Sequence, residues 1–109
     1  MTAIVPDWTH RGEYLRTRTK RKGNASETNI EPAWANEAYA DDVAIELDPD
    51  PASISGISKR TIGYSDSAGF LITVITVVDP DTNQLIGANA YKSNDKDERR
   101  YRLGANDAK

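Results

Sequence analysis

The stretch Phe70–Val78 (FLITVITVV) constrains this chain more than any other segment. It is built from β-branched, aromatic and leucine residues and is apolar at both odd and even positions. A strand of that kind sits inside a sheet, covered on at least one side. It is far too short to span a bilayer, and Thr73 and Thr76 interrupt it. Turn-rich segments bound it on both sides: Ser65–Gly69 before it and Asp79–Asn83 after it. The flanking stretches Ser58–Tyr64 and Gln84–Lys92 then read as its neighbours in an antiparallel meander. A shorter strand, Val43–Leu47, precedes a stiff loop with two Asp-Pro pairs, Asp48–Pro49 and Asp50–Pro51.

The rest of the chain reads as helical. A basic N-terminal helix is predicted over 8–22, with Asp7 as its cap and Trp8, Arg11, Leu15 and Arg18 at helical spacing. A second helix is predicted over 30–42. Pro32 suits its first turn, Ile30, Trp34, Ala38 and Asp41 share a face, and Trp34 is the expected anchor. Asn94 caps a last helix over 95–102, acids first and bases last, as the helix dipole favours. The 109 residues are expected to form a single domain, 1–109, with the sheet between 43 and 92. The fold class is α+β: two N-terminal helices, a small antiparallel sheet of about four strands, and a C-terminal helix.

Net charge is −3, but the charges are segregated. Arg11 to Lys22 carries six Lys/Arg against one Glu. Gly23 to Ser58 carries eight Asp/Glu and no Lys or Arg. Lys92 to Arg102 is basic again, with five against three. Such a chain can hold a polyanion on one face and present acid elsewhere, unless these are ordinary solvated faces. The absence of cysteine excludes disulfides, thiol nucleophiles and sulfur-bound zinc. A lone histidine, His10, excludes a multi-histidine metal site within one chain. Asp48 and Asp50 read as turn residues rather than metal ligands, so neither metal nor cofactor is expected. No phosphate-binding glycine loop and no nucleophile elbow appears. No charged-then-apolar signal opens the chain, so the expected compartment is the cytoplasm, with no membrane association.

Arg, Lys and Tyr remain as candidates, and they suit phosphate chemistry. RNA supplies its own nucleophile, the ribose 2′-hydroxyl. A protein then needs positive charge around the phosphorane-like transition state and a proton relay. Arginine offers a fork to phosphate oxygens and lysine a point charge. Arg60 lies in a strand beside Phe70–Val78, Lys92 ends the last strand, and Arg99, Arg100, Tyr101 and Arg102 ride the last helix. For Arg60 the competing reading is an ion pair with one of the many carboxylates.

Three blocks, Asn29–Asp50 (NIEPAWANEAYADDVAIELDPD), Lys59–Val77 (KRTIGYSDSAGFLITVITV) and Gly87–Tyr101 (GANAYKSNDKDERRY), resemble BrnT-type toxins in content and in linear order. These are small bacterial ribonuclease toxins of RelE-like fold, each paired with an antitoxin. The resemblance puts Arg60 on the family's arginine ahead of Ile62–Gly63, and Lys92 on the arginine that closes its last strand. Glu98, Arg99 and Arg100 fall on its "ERR", and Tyr101 lies one position from its tyrosine. Tyr91 stands where a small residue is usual.

The implied activity is metal-independent endoribonuclease cleavage of mRNA, stopping translation and growth. Arg60 and Lys92 would contact the scissile phosphate. Arg99 would add charge, and Tyr101 would stack or pass a proton. Arg11, Arg16, Arg18, Lys20, Arg21 and Arg100 would bind the RNA backbone. The implied partner is a ribbon-helix-helix antitoxin in a heterotetramer that meets operator DNA only through the antitoxin. The alternative is a non-catalytic interaction module that docks a partner through its acidic second helix and its sheet.

Overall fold

A computed structural model describes residues 4–20 and 28–104. Its elements are α1 (Gly12–Arg16), a 3-10 turn (Arg18–Lys20), α2 (Pro32–Tyr39), β1 (Ile45–Leu47), β2 (Lys59–Ser65), β3 (Phe70–Val78), β4 (Leu85–Lys92) and α3 (Asp95–Leu103). The four strands form one antiparallel sheet in the order β1-β2-β3-β4. This is the α+β meander expected from the sequence. The apolar stretch Phe70–Val78 is strand β3 to the residue.

Strand parity gives the sheet two unlike faces. Phe70, Ile72, Val74 and Thr76 of β3 point toward α2. Ile72, Val74 and Ala90 join Trp8, Leu15, Ile30, Ala35 and Ala38 in the buried core. Close approach on this side depends on two glycines. A Cβ at Gly63 would fall on the Ala38 carbonyl, and one at Gly87 would lie 2.5 Å from the Trp8 ring. The opposite face carries Arg60, Thr73, Ile75, Asn89 and Tyr91, and α3 packs on it mainly over β2.

The helices depart from the expected lengths. The predicted helix over 8–22 is only the five-residue α1 and a 3-10 turn, with 21 and 22 outside the described residues. Asp7 does not cap it. Its backbone pairs with β4 on both sides, donating to Leu85 O at 3.0 Å and accepting from Gly87 N at 2.9 Å. The chain therefore runs extended to Trp8 before it turns. Helix α2 is shorter than the predicted 30–42 at both ends: it begins at Pro32 and ends at Tyr39, because Asp41 and Asp42 turn the chain toward β1. Trp34 is only half-buried, edge-on to Phe70 at 6.2 Å. The small residues Ala35 and Ala38 are fully buried instead, which lets α2 lie close to the sheet. Helix α3 matches its prediction to one residue, and Asn94 accepts from Asp97 N at 2.9 Å.

Candidate functional site

Arg60 leaves β2 on the α3 face and enters a buried charge network. Its Nε donates to Asp50 Oδ1 at 2.8 Å. Its Nη1 donates to both oxygens of Asp97, at 3.0 and 2.7 Å. Asp97 also accepts from Arg100 Nη1 and from Thr73 Oγ1, both at 2.8 Å. The Thr73 and Ser93 hydroxyls lie 2.8 Å apart. Asp97 is fully buried, and Asp50 and Arg60 nearly so. Two Asp and two Arg balance each other, which offsets the cost of taking them out of water. Burial alone would pull the Arg60 pKa down; its bonds to Asp50 and Asp97 outweigh that and raise it, so it stays a cation.

Local sequence explains the arrangement. Asp50 N donates to Ser58 O at 2.8 Å, closing the loop and carrying its carboxylate to Arg60. Asp97 is in the first turn of α3, so Arg100 follows it by one helical turn. Arg60 Nη2 has no acceptor among the described residues. Arg60 and Asp97 floor a cleft of about 360 Å³, walled by Pro51 and Ala52 on one side and by Asn94, Lys96 and Arg100 on the other. Lys96 forms no ion pair among the described residues. The structure thus brings Arg60 and Arg100 together. Asp50, Asp97 and Lys96 complete the site: the competing reading of Arg60, an ion pair with a carboxylate, holds, although the sequence singled out neither these aspartates nor Lys96 for it. The spacing of Asp97 three before Arg100 was the visible signal.

The other predicted catalytic residues lie elsewhere. Lys92 does not converge with Arg60. Arg60 pairs with Ile75 and Lys92 with Ile72, three positions apart on β3 and therefore on opposite faces. Lys92 Nζ sits 5.2 Å from the Phe70 ring centre, on the α2 side. The β-bulge between Ile75 and Thr76 hid this in the sequence. It puts Ile86 and Ala90 on opposite faces, although simple alternation assigns them one. Arg99 falls on the exposed side of α3, away from buried Asp97. Tyr101 donates to Asp41 Oδ2 at 2.6 Å, and burial and this bond together push its pKa up to about 12. It lines a separate cleft of about 470 Å³ with Glu37, Asp41, Asp42, Tyr64 and Asp66. It is not among the residues that line the Arg60 cleft.

Most of the predicted RNA-binding arginines at the N-terminus are engaged within the fold. Strand β4 is a sheet edge, and Arg11 and Arg18 cap it. Arg11 Nε donates to Ala88 O at 3.1 Å, and Arg18 Nη1 to Ala90 O at 3.3 Å and Asn89 Oδ1 at 3.0 Å. The Arg11 guanidinium lies 3.9 Å over Tyr14, and Arg18 stands 5.7 Å from the Tyr91 ring centre. Edge carbonyls covered in this way do not template another strand. Arg16 pairs with Glu31 at 3.1 Å, Lys20 is exposed, and Arg21 lies outside the described residues. Arg100 is bound to Asp97.

Among the described residues no helix is long and apolar enough to cross a membrane, and no group of three His, Cys, Asp or Glu could hold a metal ion. No family model, no curated protein and no solved structure matches the chain.

Proposed function

We propose that this chain is the toxin of a bacterial toxin–antitoxin pair, an endoribonuclease of BrnT-like character, with the cleft over Arg60 receiving the scissile phosphate. One observation carries the reading. Arg60 is held from two sides by Asp50 and Asp97, and it lines a cleft rimmed by Lys96 and Arg100. Two of the blocks that resemble the toxin family meet at this cleft. A guanidinium held in place before substrate arrives needs no reorganisation as charge develops on the phosphate. In the proposed step the 2′-hydroxyl attacks phosphorus, the P–O5′ bond breaks, and a 2′,3′-cyclic phosphate and a 5′-hydroxyl are released. No metal or cofactor takes part. A ribbon-helix-helix antitoxin silences the site in the cytoplasm, in a heterotetramer that reaches DNA through the antitoxin.

The test is cleavage of end-labelled RNA in EDTA, with and without ribosomes, alongside growth after induced expression. Lys96→Ala and Arg100→Ala are expected to lower the rate by about 10²-fold each. A wild-type chain that leaves RNA intact and growth unaffected overturns the reading. A second reading, a non-catalytic docking module, draws on the other cleft. Its lining holds Glu37, Asp41, Asp42 and Asp66 and no basic residue. Under that reading the chain is harmless on its own and binds a basic partner there.

A further inference from the structure

Beside Arg60, on the same face of the sheet, the last strand carries two polar side chains that the charge network does not absorb. Arg60, Ile75 and Asn89 form one row across β2, β3 and β4. Two sheet spacings, roughly 10 Å, separate the ends of that row. Tyr91 stands in the next row on this face, opposite Thr73, whose hydroxyl donates to Asp97. Asn89 and Tyr91 are two positions apart on one strand face, about 7 Å.

Both side chains hold donors that no acceptor among the described residues receives. Asn89 Oδ1 already accepts from Arg18 Nη1 at 3.0 Å and from Ala90 N at 2.9 Å. What remains of Asn89 is its amide NH2, which donates to nothing among the described residues. The Tyr91 hydroxyl makes no hydrogen bond among the described residues either. Its ring is half-buried, 5.7 Å from the Arg18 guanidinium. Burial and the nearby Asp97 and Asp50 raise the Tyr91 pKa, against the pull of Arg60 and Arg18, so the phenol keeps its proton at neutral pH. Two free donors next to two guanidinium groups match a ligand made of acceptors. Ile75, between Arg60 and Asn89, adds an apolar floor. Helix α3 packs mainly on β2 and reaches β3 through the Asp97–Thr73 bond, and Asn89 and Tyr91 beside it are only half-buried.

We infer that Asn89 and Tyr91 form a second contact site for single-stranded RNA, with the Asn89 amide and the Tyr91 hydroxyl donating to phosphate oxygens of the nucleotide next to the one held at Arg60. This rests on the ribonuclease reading and extends its substrate track from the Arg60 cleft to β4. Tyr91 thereby takes the substrate-facing place that Tyr101, bound to Asp41, does not occupy.

Two variants separate contact from structure. Asn89→Asp keeps the oxygen that Arg18 and Ala90 use, removes the amide donor and puts negative charge at the site. Tyr91→Phe keeps the ring beside Arg18 and removes only the hydroxyl. The binding probe is a 2′-O-methyl oligoribonucleotide, which has no nucleophile, so affinity is measured without cleavage. Tyr91→Phe is expected to weaken binding by about tenfold and Asn89→Asp by more, with melting temperatures unchanged or, for Asn89→Asp, raised. Wild-type affinity in both variants overturns the inference, as does a wild-type chain that fails to bind the probe. A chain that binds the probe with the expected losses, yet never cuts unmodified RNA, supports this site and overturns the cleavage reading alone.

Discussion

The two faces of the sheet solve different problems. The α2 face is apolar and closed: Ile72, Val74 and Ala90 meet Ala35, Ala38, Leu15 and Trp8, and glycines at 63 and 87 remove the space between layers. The α3 face is polar and half open. Its centre is a balanced cluster of Asp50, Arg60, Asp97 and Arg100, and the β4 side chains beside it are half-buried. Close packing favours one structure because each contact is short and non-directional. A buried charge network does so through direction and stoichiometry, and it fails when one member is lost. Stability and specificity of shape come from the first face. The second, with donors left over, is where a ligand can be read.

The comparison breaks first at Asp97. Asp97→Ala strips Arg60 and Arg100 of their shared carboxylate and leaves Thr73 without its acceptor. Removing one partner of a buried pair costs about 3–5 kcal/mol, so this charged residue of a peripheral helix is expected to be as damaging to lose as a core side chain. Denaturant unfolding measures it. A loss under about 1 kcal/mol, the worth of an exposed ion pair, would show that the α3 face is not a network at all. Next is Gly63→Ala. The added methyl meets a backbone carbonyl rather than a flexible side chain, so α2 must lift from the sheet. The expected cost is about 1–3 kcal/mol, with fluorescence from Trp34 and Trp8 shifting as the layer opens.

How much of this was legible differs between the faces. The apolar run Phe70–Val78 and its turns specify the meander, and hydrophobic alternation carries that information directly. Asn94 and the acid-to-base gradient specify α3 for the same local reason. The site was legible only in part. Arg60 and Arg100 were visible as candidates, but their meeting at Asp97 depends on strand register and on how α3 docks, which no local pattern encodes. Lys92 was misplaced because a bulge at Ala88 changes strand parity, and Gly87 beside it reads equally as the close approach to Trp8. The N-terminal basic run misled for another reason. Its periodicity suggested one long helix, but Asp7 is drawn into pairing with β4, and Arg11 and Arg18 are drawn to the carbonyls of that strand. Tertiary hydrogen bonds outweighed a weak helical preference, since Thr17 and Thr19 favour helix poorly.

A smaller effect tests whether the α3 face loosens independently of the other. Asn94→Ala removes the cap that accepts from Asp97 N and is expected to cost about 1 kcal/mol. Amide exchange should quicken in α3 while β3 stays protected. Equal loss of protection in both would mean that the two faces unfold as one unit and that the contrast between them has no dynamic counterpart.

The smallest effect concerns Tyr101, which ties α3 to the turn after α2 and so joins the two sides of the sheet at their margin. Its hydroxyl donates to Asp41, and its pKa stands at about 12, above the ordinary tyrosine value of about 10. A folded-state pKa raised above the unfolded one means that the native chain holds this proton more tightly. The stabilisation is therefore fully present below about pH 10 and is lost as pH climbs through about 12. Tyr101→Phe removes the bond at every pH. The pair is only part-buried at the margin of the sheet, so the expected loss at neutral pH is about 0.5 kcal/mol, the low end for a hydrogen bond. The stability curves of the wild type and of the Tyr101→Phe variant should run parallel at neutral pH and converge between about pH 10 and about pH 12. Phenol absorbance gives the matching titration: the wild type should show a transition at about pH 12 that the Tyr101→Phe variant lacks. Curves that stay parallel up to about pH 12 would detach Tyr101 from Asp41 and leave α3 held to the fold by the Asp97 network alone.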